Sequence, residues 1–467
     1  MPTTVEVRGC SEDLLHQVVR EGLPPFLTTL DATGRFLPSF VLRELRRFVA
    51  CGDPDHGFAW LHCGGCDFHR LVPFSCKGRA FCPSCGGRRM AERAAHWMDR
   101  VIPAVGVRQW VLTVPWKRRF LLARNPGLLR GVHTIAIRQI YAWYRERVAR
   151  RGGGVGQTGS VTVIQRFGSA LRLNPHFHIL ALDGCFVDAG GGEVRFQPAH
   201  GLRTDDVEEL TSRIAARCER WLADRGFGPD DESEADPDDG QELLQAASLA
   251  GRVGLGRRAG RRTRRVVLLG GREVKLPPLC AAYEGYNLHA GVFVGAANRD
   301  GLERLARYLC RPALSKTRLE RRADGLVTLH MKRAWRNGTS SMVFSPAELV
   351  ARLAALVPPP RKNTVLYCGV LAPNAAWRAK VVPAPAAEPQ GLPLAKEQRK
   401  PIRGRFTWSE LLRRVFRVDG WLCRYCHRPM TLRAVVKGPP ASARVFQSLH
   451  GSARAPPANP VHSASRA

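Results

Sequence analysis

The sequence predicts a multidomain α+β protein: a small cysteine-organised module, a larger domain of strands and helices, and a basic, partly disordered C-terminal tail. Three observations predict it. Cys63-Gly-Gly-Cys66 and Cys82-Pro-Ser-Cys85 form two Cys-x-x-Cys knuckles with 15 residues between them. Downstream, strand-like and helix-like apolar periods alternate, and one of the strand-like runs carries a His-x-His pair, His176 and His178. Beyond residue 382 the chain turns to Pro, Ala, Lys and Arg, a composition that cannot fill a core.

With 467 residues and 44% hydrophobic content, the chain can bury two or three cores. Its 72 Lys and Arg exceed its 40 Asp and Glu, and the formal charge of +32 points to a polyanionic partner. Arginine-rich coding accounts for part of that excess, not all. No apolar run reaches the roughly 20 residues of a membrane helix, and Met1 to Arg20 has no leader pattern, so a cytoplasmic, DNA-associated location is expected. Fourteen Cys in that compartment argue for metal binding rather than disulfides.

Residues 1–100 read as a zinc-binding, DNA-contacting domain. Phe40, Leu42, Leu45 and Phe48 mark amphipathic helix, Cys51 to Cys85 reads as loop, and Arg88 to Arg100 as a basic exit helix. Cys63, Cys66, Cys82 and Cys85 can present four thiolates to one structural Zn²⁺. Cys51 and Cys76 are alternative ligands or buried thiols, and His62 and His69 weaker candidates. Lys77, Arg79, Arg88, Arg89 and Arg93 surround the module as a surface for nucleic acid.

Residues 101–345 read as the second domain. Gln109 to Pro115 is a strand, and Leu129, Val132, Ala136, Ile140 and Trp143 mark a helix. Ser160 to Phe167 and His176 to Asp183 are strands, the second closed by the Asp183-Gly184 turn. Residues 228–265, acidic and then strongly basic, read as a flexible insertion. Tyr286 to Val294 is a strand, and Arg299 to Arg311 a helix stopped by Pro312. Residues 346–382 read as a helix and a strand, opened by the capping box Ser345-Pro-Ala-Glu348. Residues 383–467 read as a basic linker, a short degenerate Cys423-x-x-Cys426 patch and a disordered tail.

Alternate residues of a strand share a face, so His176 and His178 project together while Phe177 and Ile179 turn away. Two imidazoles so placed can hold a divalent ion that polarises a phosphate. Tyr308 supplies a nucleophile, with Arg304, Arg307 and Arg311 near it to favour a phenolate and attract DNA.

Several stretches together resemble, in order, the rolling-circle transposases of the insertion-sequence ninety-one group. They are Phe74-Ser-Cys-Lys77, Phe81-Cys-Pro-Ser-Cys85, Asn174-Pro-His-Phe-His178 with Asp183-Gly184, Leu302-Glu-Arg-Leu-Ala-Arg-Tyr308 with Arg311-Pro312, Gly369-Val-Leu-Ala-Pro-Asn374 and Thr407-Trp-Ser-Glu-Leu-Leu412. The resemblance spans roughly residues 40–430. It implies an HUH endonuclease fold, an antiparallel sheet with flanking helices, the His pair on a middle strand and Tyr308 on a facing helix. Oxygen-rich phosphate chemistry favours Mg²⁺ and two imidazoles favour Mn²⁺ as the working ion, and by placement Gln165, on the preceding strand, or His289, on the strand leading to the tyrosine helix, is the third ligand. The activity implied is nicking and joining of single-stranded DNA at element ends and target through a 5′-phosphotyrosine. Many members carry a second tyrosine four residues before the first; here that position is Arg304, as in the single-tyrosine, common-region elements. Both transfer steps then reuse Tyr308, or self-association supplies another tyrosine. From Lys437 onward no apolar period is evident, so a shortened C terminus and a two-cysteine half-site are expected. The alternatives are a replication initiator with the same chemistry, a zinc-dependent DNA-binding protein without catalysis, and a decayed transposase.

Overall fold

The strands read from apolar alternation assemble into one six-stranded antiparallel sheet. Its order is Cys280–Tyr283 (β4), Tyr286–Val294 (β5), Val107–Thr113 (β1), Leu173–Leu182 (β3), Gly159–Phe167 (β2) and Val365–Gly369 (β6). In this computed structural model the described residues are 5–7, 13–152, 154–228, 235–236, 238–268, 276–384, 410–411, 413–414 and 419–450. They fall into two units, of which the larger comprises Val18–Leu45 and Gly78–Arg405 and contains this sheet.

β3 carries the His pair and is hydrogen-bonded on both sides, to β1 and β2. Phe177, Ile179 and Ala181 join Trp110 and Leu112 on one face, packed with residues of the helices Pro126–Ala149 and Thr204–Ala223. Leu180 and Leu182 turn to the other face, where they cluster with Leu302, Ala306 and Leu309 of the helix Arg299–Leu309. Each buried Leu, Ile or Phe among them contributes about 1.5–3 kcal/mol, and a one-residue slip would invert both faces. The register of β3 is therefore fixed. Asp183, just past its end, accepts from Arg108 Nε at 2.8 Å, Arg108 Nη2 at 3.1 Å and the Tyr144 hydroxyl at 3.0 Å.

A second antiparallel sheet in the same unit runs Leu319–Arg321, Val327–His330, Thr339–Phe344 and Arg264–Val267. The strand Arg264–Val267 and the helix Gly240–Ala250 correct the expectation of a flexible insertion over 228–265. Charge misled there, because the basic residues are engaged: Arg258 pairs with Glu348 at 3.0 Å. Most of the acidic stretch, residues 229–234 and 237, lies outside the described residues, as does all of Thr407–Leu412 except Glu410 and Leu411.

The smaller unit is discontinuous, built from Met1–Gln17, Arg46–Lys77 and Phe406–Ala467. Its sheet runs Val5–Val7, His69–Pro73, Gly57–His62 and Thr431–Lys437, and the last strand is antiparallel to Gly57–His62. Two expectations are corrected. Residues 51–85 are not all loop, since two strands of six and five residues lie between the cysteines. Residues 431–450 are not tail but a strand and the helix Pro439–His450, with Val436 and Leu449 packed against Phe58 and Leu71. Those partners come from the other end of the chain, so no local period records them. Among the described residues no helix is long and apolar enough to cross a membrane.

Candidate active site and zinc centre

On β3, His176 stands opposite Thr113 and Gln165, and His178 opposite Val111 and Val163. The two Nε2 atoms converge to 3.1 Å. His176 Nδ1 lies 2.7 Å from the Asn174 carbonyl, which can only accept, so Nδ1 carries the proton and Nε2 keeps its lone pair. Gln109 Nε2 lies 2.9 Å from His178 Nδ1 and donates to it as placed; only with the amide turned over does its oxygen accept from Nδ1–H and leave His178 Nε2 its lone pair. Burial, more than the hydrogen bond to Asn174 or the cations Arg311 and Arg119, sets the basicity of His176, pushing it down to about 4. Burial, then His176 and Arg311, takes His178 down to about 3. Both rings are neutral near pH 7, the form that binds a metal.

Gln165 projects beside them. Its Nε2 donates to the Leu309 carbonyl at 2.6 Å, while its buried Oε1 has no hydrogen-bond partner among the described residues. That orphaned oxygen, next to two converging imidazole nitrogens, fits a divalent cation that accepts mixed nitrogen and oxygen ligands. His289 sits opposite Val111 on β5, so the strand β1 separates it from His178.

Tyr308 is 46% exposed at the end of its helix, and its ring meets that of His178 edge-on with centroids 6.5 Å apart. The Arg311 guanidinium lies 3.9 Å from the phenol centroid, and Lys332 Nζ 5.8 Å. Arg304 is exposed, whereas Arg307 is tied to Glu303 at 2.6 Å. Arg88 and Arg89 lie on the helix Pro83–Arg100, which packs against the tyrosine helix; Arg88 is exposed and Arg89 Nη2 donates to the Gly78 carbonyl at 2.9 Å.

The cysteines are grouped differently from the single site expected of Cys63, Cys66, Cys82 and Cys85. In the smaller unit Cys63 and Cys66 meet Cys423 and Cys426, with all four sulfurs within 4.8 Å of one another. Cys63 Sγ is 3.3 Å from Cys426 Sγ, and Cys66 Sγ 3.5 Å from Cys423 Sγ. Four thiols with no open position suit structural Zn²⁺. Cys82 and Cys85 belong to the larger unit, where Cys82 caps the helix Pro83–Arg100 by accepting from the Cys85 amide. The Cys423 knuckle is thus no half-site, since its other half lies in the N-terminal segment.

Residues 23–114 match the family described as "Transposase zinc-binding domain", and residues 159–378 the family described as "Putative transposase". Over these two spans the chain is similar to transposases of the insertion-sequence ninety-one group. No curated protein and no solved structure matches it. The second match contains the His pair and Tyr308 of this transposase, and the first contains Cys63, Cys66, Cys82 and Cys85. The partner cysteines Cys423 and Cys426 lie outside both. The zinc-binding domain and the thiol cluster make zinc a structural component of the transposase. Gln109 was missed in the sequence, although a lone amide in the apolar run Gln109 to Val114 was a usable signal.

Proposed function

We propose that this transposase nicks and rejoins single-stranded DNA at element ends through a covalent bond to Tyr308. The observation that carries the reading is the convergence of two neutral imidazoles and an unsatisfied amide oxygen beside an exposed tyrosine. His176 Nε2, His178 Nε2 and Gln165 Oε1 would hold Mg²⁺ or Mn²⁺, which when bound withdraws charge from the oxygens of the scissile phosphate. Gln165 takes the place that His289 shared with it as candidate. Arg311 against the ring offers its cation to the DNA backbone.

Tyr308 loses its phenolic proton to solvent and its oxygen bonds to phosphorus; the bond from phosphorus to the 3′ oxygen breaks, and that oxygen leaves as a hydroxyl after taking up a proton. The bond energy is kept in the 5′-phosphotyrosine, so a second 3′ hydroxyl can attack it and free Tyr308 without any nucleotide cofactor. With Arg304 in place of a second tyrosine, Tyr308 serves both steps or a second copy of the chain contributes its own.

The test is incubation with labelled single-stranded DNA from the element end and Mn²⁺ or Mg²⁺, run on a denaturing gel. A covalent band lost in both Tyr308→Phe and His176→Ala supports the reading. Binding without a band in the wild type overturns it in favour of a DNA-binding protein without turnover.

A further inference from the structure

Among the buried arginines of the larger unit, Arg352 and Arg166 differ in one respect. Arg352 spends its guanidinium fully on the structure, donating to Ser248 O and Oγ at 3.0 Å each, to Arg252 O at 3.2 Å and to Thr263 Oγ1 at 2.7 Å. Arg166, 8% exposed, makes one bond, from Nη1 to the Ala123 carbonyl at 2.7 Å. Its Nε and Nη2 are buried without a partner among the described residues. A buried cation lacking a counter-charge and most of its hydrogen bonds costs several kcal/mol, so a fold that keeps one has a use for it.

Arg166 lines two adjoining cavities at the edge of β2, which also share Ile164, Pro358 and Thr364. The larger, of about 80 Å³, is bordered by Arg79, Arg89, Arg93 and Arg311 as well, and the smaller by Arg130 and Lys362. No Asp or Glu lines either. Gln165 and Leu309, which tie the candidate metal site to the tyrosine helix, line the same larger cavity. The pocket therefore opens beside the reacting centre, and its charge has a single sign.

We propose that this pocket binds a backbone phosphate of the DNA strand, outside the scissile phosphate, with the free Nε and Nη2 of Arg166 as the buried donors. A tetrahedral anion satisfies what no protein group satisfies here: two parallel guanidinium donors and a ring of cations. The inference rests on the reading of the chain as an enzyme acting on DNA and adds a site that holds the strand in place while Tyr308 works.

The test uses the full-length chain carrying Tyr308→Phe, without added divalent ion, and a labelled oligothymidylate titrated across a salt series. Arg166→Met on that background is expected to weaken binding roughly tenfold, the worth of a charged hydrogen bond. It should also flatten the slope of log affinity against log salt by about 0.7, one phosphate on a single strand. Arg166→Lys should keep the slope. Unchanged affinity, or a loss with no change of slope, overturns the proposal and leaves Arg166 a structural residue. Should Arg166→Met fail to fold, the Arg79→Met, Arg93→Met double variant at the pocket's border is read the same way, and an unchanged slope there is equally fatal. Because no adduct can form in the parent, the outcome is independent of the tyrosine mechanism: a wild type that never forms an adduct sinks that mechanism without touching the pocket.

Discussion

One arm of the Gln165 amide is fixed to the Leu309 carbonyl and the other is loose, so in the proposed mechanism one residue would both hold the ion and locate the tyrosine helix. Gln165→Leu should raise the Mn²⁺ concentration needed for half-maximal adduct formation by roughly 10-fold or more, while His289→Ala leaves it unchanged; the reverse pattern would return the third-ligand role to His289. His133 gives a cleaner reading of pH, since it packs on Phe177, which turns to the face of the sheet away from the His pair. It is buried, its Nε2 lies 2.9 Å from Thr162 Oγ1, and burial, with Arg130 a lesser cause, lowers it from 6.5 to about 4. In the unfolded chain it titrates near 6.5, so between pH 6.5 and 4 the unfolded state binds a proton that the folded state does not. Stability is therefore full above 6.5 and falls with acid, by about 2 kcal/mol at pH 5 from this residue. Denaturant titrations at pH 7 and pH 5 should show His133→Gln losing that much less than the wild type, and equal losses would refute the assignment.

At the level of elements, what lay within a dozen residues was legible and what lay between distant segments was not. Alternation in Ser160 to Phe167 and His176 to Asp183 gave two adjacent strands of the sheet, because burying one face imposes a period of two wherever the partner comes from. The capping box at Ser345 was equally local, with Ser345 Oγ accepting from the Glu348 amide and Glu348 Oε2 from the Ser345 amide. Ser345→Ala should cost about 1 kcal/mol in equilibrium unfolding, and a change below a few tenths would mean that packing of Leu349, Val350 and Leu353 holds the helix start unaided. By contrast the four-residue strand Cys280–Tyr283 is too short to display a period. The basic run before Arg264 concealed a strand, since charge says nothing about pairing when the side chains point outward. The His pair was visible because both residues sit on one strand; Gln109 and the open oxygen of Gln165 needed the register between strands.

Taken as a whole molecule, the chain closes on itself. Cys63 and Cys426 are 363 residues apart in sequence, and the strand Thr431–Lys437 adds to a sheet whose other three strands come from the first 73 residues. Closing a loop of that length costs about 5 kcal/mol on the logarithmic law, less where the intervening unit is already folded. Four short strands and two small apolar clusters are a thin return for it, whereas a structural zinc contributes about 10–16 kcal/mol. The cysteines of the smaller unit are thus required for its assembly rather than an ornament of it. Pairing the two adjacent knuckles was the natural sequence reading because ligand spacing is a local signal, and a site split between the chain's two ends has none. Cys423→Ser should lower the zinc content by one ion per chain and render the segments Gly57–Pro73 and Thr431–His450 together susceptible to limited proteolysis. The sheet Val107–Gly369, whose core is its own, should keep its protection. A variant that retains its zinc, or that exposes Thr431–His450 while Gly57–Pro73 stays resistant, would show that the N-terminal knuckle folds without its C-terminal half.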